Sequence, residues 1–308
     1  MRILVVGAGA VGGYFGARLV QAGRDVDFLV RPARAEALRE RGLVLRDPDG
    51  AEETVHVDTV TADRVGPDYD LVIVAVKSYA FDPALEDLAP AVGPKTVVLP
   101  FLNGMSHIDT LVDRFGAERV YGGVAMVMTR LGENGEIVQI GPLAELIHGP
   151  VAPDPVVAPE QVREALDTGR FDSRPTDRAV QELWDKWVLL ASLGACTCLM
   201  RGTIGEINRA PGGAAFTRAV LAESCAIAAA SGYPIAEETR ARTEKIVGST
   251  RAPTTTSMYW DLTHGNPVED EHIVGDLVRR GGELGVPTPL LEVARTHLAV
   301  YSAQRQGS

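Results

Sequence analysis

The chain has 308 residues, about twice the common domain size, so two domains are expected rather than one small binding module. Hydrophobic residues make up 45% and charged residues 23%, which sets aside disordered, collagen-like and coiled-coil chains. With 30 Lys and Arg against 41 Asp and Glu, the formal charge of −11 disfavours a nucleic-acid backbone or an anionic bilayer, and neither is an expected partner.

Met1 leads straight into the apolar residues 3–6 without a basic leader or cleavage site, so no secretory signal is expected and the cytoplasm is the expected compartment. Residues 3–6, 26–30, 71–76 and 96–99 are continuously apolar rather than alternating. That is how parallel strands covered on both faces read, and helical patterns fill the intervals, as in repeated βαβ units.

Between the first strand and its helix stand Gly7, Ala8, Gly9, Ala10, Val11 and Gly12. Gly7 permits a tight turn, Gly9 lets the backbone approach a pyrophosphate, and Gly12 lets helix and strand pack closely, while the helix start at Ala10 and Val11 offers amides to an anion. Dinucleotide binding is the expectation. A site for NAD would place an acidic residue at the end of the second strand. Here Arg31 stands there, with Arg34 three residues later. Their guanidinium forks suit a 2′-phosphate, so NADPH is the expected cofactor, the alternative being two arginines on a solvated loop. Lys77 and Asn103 follow the third and fourth strands, where ligands of open α/β sheets bind, although Asn103-Gly104 is also an ordinary turn signal.

Residues 120–148 read as a few further strands closing this domain, broken at Gly132, Asn134-Gly135 and Gly141-Pro142, with Asn134-Gly135 a hairpin turn. A proline-rich approach ends at Pro175, which marks the expected boundary between domains 1–174 and 175–308. Beyond it, residues 176–200, 213–231, 235–248, 257–262, 270–284 and 289–303 read as helices, and the tail from Gln304 to Ser308 is expected to fray. The apolar run 187–200 is shorter than the ~20 residues of a membrane span and reads as a buried helix. Cys196, Cys198 and Cys225 form neither a CxxC pair nor a zinc quartet, so no metal is expected and they read as small buried hydrophobes.

Residues 180, 183, 184, 187, 190 and 191 make an apolar helix face, and Lys186 sits where that helix enters the core. A desolvated lysine has a lowered pKa and can donate a proton near neutral pH; the plainer alternative is a lysine snorkelling at the rim. Ser257 and Glu269 are further candidates, each also readable as a helix cap or a first-turn acid.

Together, the opening GAGAVGGYFGARL, Val76-Lys77, the Leu-Asn-Gly loop at Asn103, the Glu-Leu-Trp-Asp-Lys helix at Lys186 and the segment from Ser257-Met258 to Glu269 resemble the ketopantoate reductase (2-dehydropantoate 2-reductase) family. The resemblance runs over nearly the whole chain. It implies an α/β fold, with an N-terminal Rossmann-type domain followed by an all-helical domain. It further implies NADPH and reduction of a branched 2-oxo acid, ketopantoate being the named candidate in pantothenate biosynthesis. Lys186 would be the general acid, Glu269 its polar partner and a contact to the substrate hydroxyls, Ser257 a neighbour of the substrate carboxylate, and Asn103 a neighbour of nicotinamide and carbonyl. Better-studied members carry substrate-binding asparagines one and two helical turns past the lysine and just before the serine, where this chain has Leu190, Gly194 and Thr254. That departure leaves open a more apolar 2-oxo acid, and a nucleotide sensor without chemistry is the alternative from another class. A homodimer is left open as well.

Overall fold

The structure, a computed structural model, describes residues 1–306. Its contacts divide these residues into two units, one comprising Met1–Leu102 with His107–Glu182, the other Asn103–Ser106 with the chain from Leu183 onward.

The first unit begins β1 (Arg2–Val6), α1 (Ala10–Gln21), β2 (Asp25–Leu29), α2 (Pro32–Arg41), β3 (Leu43–Arg46), β4 (Glu52–Val55), β5 (Asp58–Val60) and β6 (Leu71–Val74). It continues with α3 (Phe81–Leu88), β7 (Val97–Pro100), α4 (Ser106–Phe115), β8 (Tyr121–Leu131), β9 (Ile137–Pro150), α5 (Pro159–Leu166) and β10 (Asp172–Pro175). The four continuously apolar runs form β1, β2, β6 and β7 of a parallel sheet ordered β5-β2-β1-β6-β7. Residues 3–5, 71–74 and 97–99 are fully buried, which explains why these strands lack a polar alternation. The strand ending the 71–76 run stops at Val74, so Lys77 lies in the following loop.

Residues 120–148 differ from expectation. They form two long strands, β8 and β9, joined at the Asn134-Gly135 turn, and Gly141-Pro142 lies inside β9 rather than ending it. They do not extend the parallel sheet but build a second one, ordered β10-β9-β3-β4 with β8 paired to β9. The short strands β3, β4, β5 and β10 were not anticipated, because runs of three or four mixed residues such as Glu52–Val55 carry no clear periodicity. Phe15, Phe28, Leu38, Leu43, Tyr121 and Ile137 are among the residues of one core shared by both sheets and α1.

The second unit is helical: α6 (Ala179–Met200), α7 (Ile204–Arg209), α8 (Gly213–Ala230), α9 (Glu237–Val247), α10 (Ser257–Thr263), α11 (Asp276–Glu283) and α12 (Pro289–Gln306). The division between the units falls inside α6, beyond Pro175. The expected helix over 270–284 is interrupted by a π-helical turn, Glu271–Gly275, ahead of α11. α12 runs on to Gln306 where fraying was expected from Gln304, and Gly307 and Ser308 lie outside the described residues.

By length and composition α6 and α8 are both apolar enough to cross a membrane, so the short-run argument from the sequence fails: α6 has 22 residues. Of its most apolar stretch, 67% is buried inside the protein. Trp184, Trp187, Val188, Ala195, Cys196 and Cys198 are among the core residues it supplies. Cys225 on α8 is only half-buried.

Candidate functional site

In the first unit the glycine turn joins β1 to α1 at the middle of the parallel sheet. Gly7 has φ +97°, a conformation that costs glycine nothing, and its amide bonds to the Leu29 carbonyl at the end of β2. A Cβ on Gly12 would collide with the Gly7 carbonyl and lie 2.8 Å from the Ala75 Cβ, so this glycine is fixed by close packing. Gly9 is different: a Cβ there would meet nothing within 4 Å. Gly9 is also the N-cap of α1, no side chain caps the helix, and its first turn carries no acidic residue. The start of the helix, with partly exposed Ala10 and Val11, is thus a cradle with room for an anion and a favourable dipole.

Two cations flank the turn along the sheet. Arg31, exposed at the N-cap of α2, follows β2, and among the described residues its side chain has neither hydrogen bond nor ion pair. Lys77 is exposed and follows Ala75 and Val76, the residues against which Gly7 packs. Arg34 does not share this freedom: its Nη2 donates to the Ala8 carbonyl at 3.2 Å and to the Gly135 carbonyl at 3.1 Å. No local pattern announces this bond, since Gly135 is distant along the chain.

The second unit contains Asn103, Lys186 and Glu269, and the immediate neighbourhood of each meets the same stretch of chain. Gly104 has no room for a side chain, because a Cβ would lie 2.5 Å from the His272 carbonyl oxygen. Trp187, 1% exposed and next to Lys186, donates its indole N–H to the Ile273 carbonyl at 2.9 Å. Ile273 in turn donates its amide to the Glu269 carbonyl at 3.0 Å. The neighbours of all three candidate groups are therefore fastened to one turn of chain. That turn is π-helical, a geometry that leaves carbonyls outside the regular ladder and recurs at functional sites.

Burial pushes the Lys186 ammonium down to about 8, and the Glu269 carboxylate acts against that shift. Glu269 is itself 7% exposed, a buried acid rather than a solvated one in a first helical turn. Lys186 is partly accessible, as a group exchanging protons with a ligand must be. Ser257 is exposed at the first position of α10, and the cap of that helix is Thr256, whose Oγ1 accepts from the Tyr259 amide at 3.1 Å. A capping role for Ser257 is thereby corrected.

Leu190 and Gly194 follow Lys186 at one-turn intervals along α6 and share its face. A Cβ on Gly194 would lie 2.6 Å from the terminal methyl of Met258, which is buried. The space of a side chain at 194 is taken by that thioether. Thr254 is occupied through its carbonyl, which accepts from the Ile204 amide at 3.0 Å.

Two family models, "Ketopantoate reductase PanE/ApbA" and its C-terminal counterpart, match residues 3–153 and 178–301. The chain belongs to the ketopantoate reductase family. It is an oxidoreductase, built from a Rossmann-type α/β unit and a helical unit, as the family resemblance implied. An "Uncharacterized oxidoreductase YkpB" of Bacillus subtilis is 29% identical over 99% of this chain and 100% of its own length. The crystal structure of a 2-dehydropantoate 2-reductase from Geobacter metallireducens is 29% identical, with a TM-score of 0.86 over 97% of this chain and 99% of that one. The ternary structure of D-mandelate dehydrogenase with NADH and anilino(oxo)acetate has a TM-score of 0.88 over 99% of both chains, and at 21% identity shares the fold.

Sequence reasoning grouped Arg34 with Arg31 as a phosphate-seeking cation, read Trp187 as core and gave Met258 no role of its own, whereas Arg34 bonds backbone carbonyls, Trp187 bonds Ile273 and Met258 fills the space over Gly194. These contacts are long-range, and no local pattern announces them.

Proposed function

We propose that this chain reduces a branched 2-oxo acid to its 2-hydroxy acid with NADPH in the cytoplasm, and that 2-dehydropantoate is the leading substrate candidate. The observation that carries the reading is the juxtaposition of a lysine whose pKa burial lowers to about 8 with a buried glutamate, in a chain that also has an open, uncapped glycine turn.

The cradle at Gly9 fits a pyrophosphate. Gly7, Gly9, Ala10, Val11 and Gly12 would hold it through backbone amides, Arg31 would take the 2′-phosphate, and Lys77 would add charge at the neighbouring strand end. When bound, the dinucleotide supplies the hydride. Lys186, protonated near neutral pH, would donate its proton to the developing alkoxide oxygen at C2. Glu269 would keep the ammonium form populated and orient it, and would accept hydrogen bonds from substrate hydroxyls. Asn103 would hold the carbonyl and the nicotinamide amide through its own side-chain amide, and Ser257 would donate to the substrate carboxylate.

A second reading, a more apolar 2-oxo acid, draws on Met258. With Leu190 one turn from Lys186 and a thioether in place of a side chain at Gly194, this face of α6 offers no amide to a terminal hydroxyl. A pocket of that kind discriminates weakly between a substrate and its deoxy analogue. Specificity constants for 2-dehydropantoate and 2-oxoisovalerate with NADPH test both readings. They are expected to lie within ~100-fold of each other, the limit of apolar discrimination. A larger preference for 2-dehydropantoate would remove the second reading, and inactivity on both would remove the first. For the cofactor, Arg31→Ala is expected to weaken NADPH binding by ~10-fold or more with NADH little changed, as for a lost charge-assisted bond. Equal affinity of the unaltered protein for both cofactors would contradict that assignment.

A further inference from the structure

The hairpin of β8 and β9 meets the glycine turn at three points, none of which the turn motif itself requires. Arg34 Nη2 ties the Ala8 carbonyl to the Gly135 carbonyl at the hairpin tip, at 3.2 and 3.1 Å. Thr129 Oγ1, from β8, donates to the Ala10 carbonyl at 3.1 Å. Ile137, at the start of β9, fills the space over Gly13, where a Cβ would collide with its side chain. The hairpin tip is shaped for the arginine as well: Gly135 has φ +81°, and a Cβ there would lie 2.6 Å from Arg34 Nη1.

The peptide group is planar and trans, so a carbonyl and the N–H that follows it point in opposite directions. Pinning the Ala8 carbonyl toward Arg34 therefore aims the Gly9 N–H away from it, and pinning the Ala10 carbonyl toward Thr129 aims the Val11 N–H away from the hairpin. These are the amides an anion in the Gly9 cradle would use. A guanidinium already bonded to two backbone carbonyls is, at the same time, poorly placed to turn toward a phosphate.

We propose that Arg34 is a positioning residue for the dinucleotide, acting with Thr129 to fix the orientation of the glycine-turn amides from the β8–β9 hairpin, and that it is not a 2′-phosphate ligand. The proposal rests on the dinucleotide reading of the turn and goes beyond it by assigning the hairpin a part in cofactor binding. Such a residue serves NADPH and NADH alike, because both carry the same pyrophosphate. A 2′-phosphate ligand serves NADPH alone.

Dissociation constants for NADPH and NADH, measured on folded Arg34→Ala, Arg34→Lys and Thr129→Val proteins, decide the matter. Arg34→Ala is expected to raise both constants by a similar factor, on the order of 10-fold, as for hydrogen bonds lost from a charged donor, leaving the NADPH-to-NADH ratio within about 2-fold of the unaltered protein. Arg34→Lys, with one ammonium for the two carbonyls, is expected to recover part of that loss. Thr129→Val, nearly isosteric, is expected to raise both constants by a few fold and supplies the test if Arg34→Ala does not fold. Selective loss of NADPH in Arg34→Ala would show a direct phosphate contact and overturn the proposal. Unchanged constants in the Arg34 and Thr129 variants would overturn it too. Failure of the unaltered protein to bind either dinucleotide would instead bring down the reading of the turn, and the proposal with it.

Discussion

Gly9 and Gly12, three residues apart, carry different burdens, and single substitutions separate them. Gly9 faces open space at φ −87°, so Gly9→Ala is expected to leave the melting temperature within a degree or two, as for a tolerated surface change, while its methyl group intrudes on the anion cradle and weakens NADPH binding. Gly12→Ala drives a methyl group into the Gly7 carbonyl and the Ala75 side chain, and is expected to cost ~1–3 kcal/mol of stability as overpacking does. Thermal melts and cofactor titrations of the two variants check the contrast; equal melting losses would contradict it. For Lys186, removal of the ammonium in Lys186→Ala is expected to lower turnover ~10²–10⁴-fold with NADPH affinity almost intact. With Lys186 as the proposed proton donor the protonated form would be the active one, so the rate is expected to fall as pH rises through about 8. A flat profile from pH 7 to 9.5 would remove Lys186 as proton donor.

At the scale of elements, the residues that could be read in advance were those whose own pattern carries the signal. β1, β6 and β7 are legible because burial on both faces leaves no polar residue among 3–6, 71–74 and 97–100, and the glycine turn because its spacing has a mechanical cause. β3, β4 and β10 are not, since β3 and β10 owe their place in the second sheet to pairing with β9 across many residues, and β4 owes its place to β3. The π-helical turn after Glu269 was read as plain helix for a similar reason: what holds it is the Trp187 indole, from another helix. β9 also buries His148, 1% exposed, whose Nε2 lies 3.2 Å from Ser173 Oγ on β10. Desolvation lowers its pKa from 6.5 to about 4. The folded state therefore binds fewer protons than the unfolded state in that window, and stability is expected to fall as pH drops from 6.5 toward 4, by an amount on the order of 3 kcal/mol at ~1.4 kcal/mol per pH unit. Urea denaturation at pH 7 and pH 4.5 measures the loss. His148→Gln, which does not titrate, should show a smaller drop between the two values even if its stability is lower throughout, and an equal drop would assign the acid sensitivity elsewhere.

For the molecule as a whole, the turn fitted to a dinucleotide belongs to one unit, while Asn103, Lys186 and Glu269 belong to the other. A protein that only sensed a nucleotide would need the first set of residues and not the second, whereas a reductase needs both. The proposed reaction passes a hydride from the dinucleotide to a 2-oxo carbon, and isotopic transfer tests this without reliance on the rate. The protein is incubated with 2-dehydropantoate or 2-oxoisovalerate and NADPH deuterated at the transferable position of C4, and the products are examined by mass spectrometry. The expected product is a 2-hydroxy acid carrying one deuterium at C2, formed in step with loss of the reduced cofactor and strongly diminished in Lys186→Ala. Binding of NADPH with no deuterated 2-hydroxy acid from either substrate would contradict it.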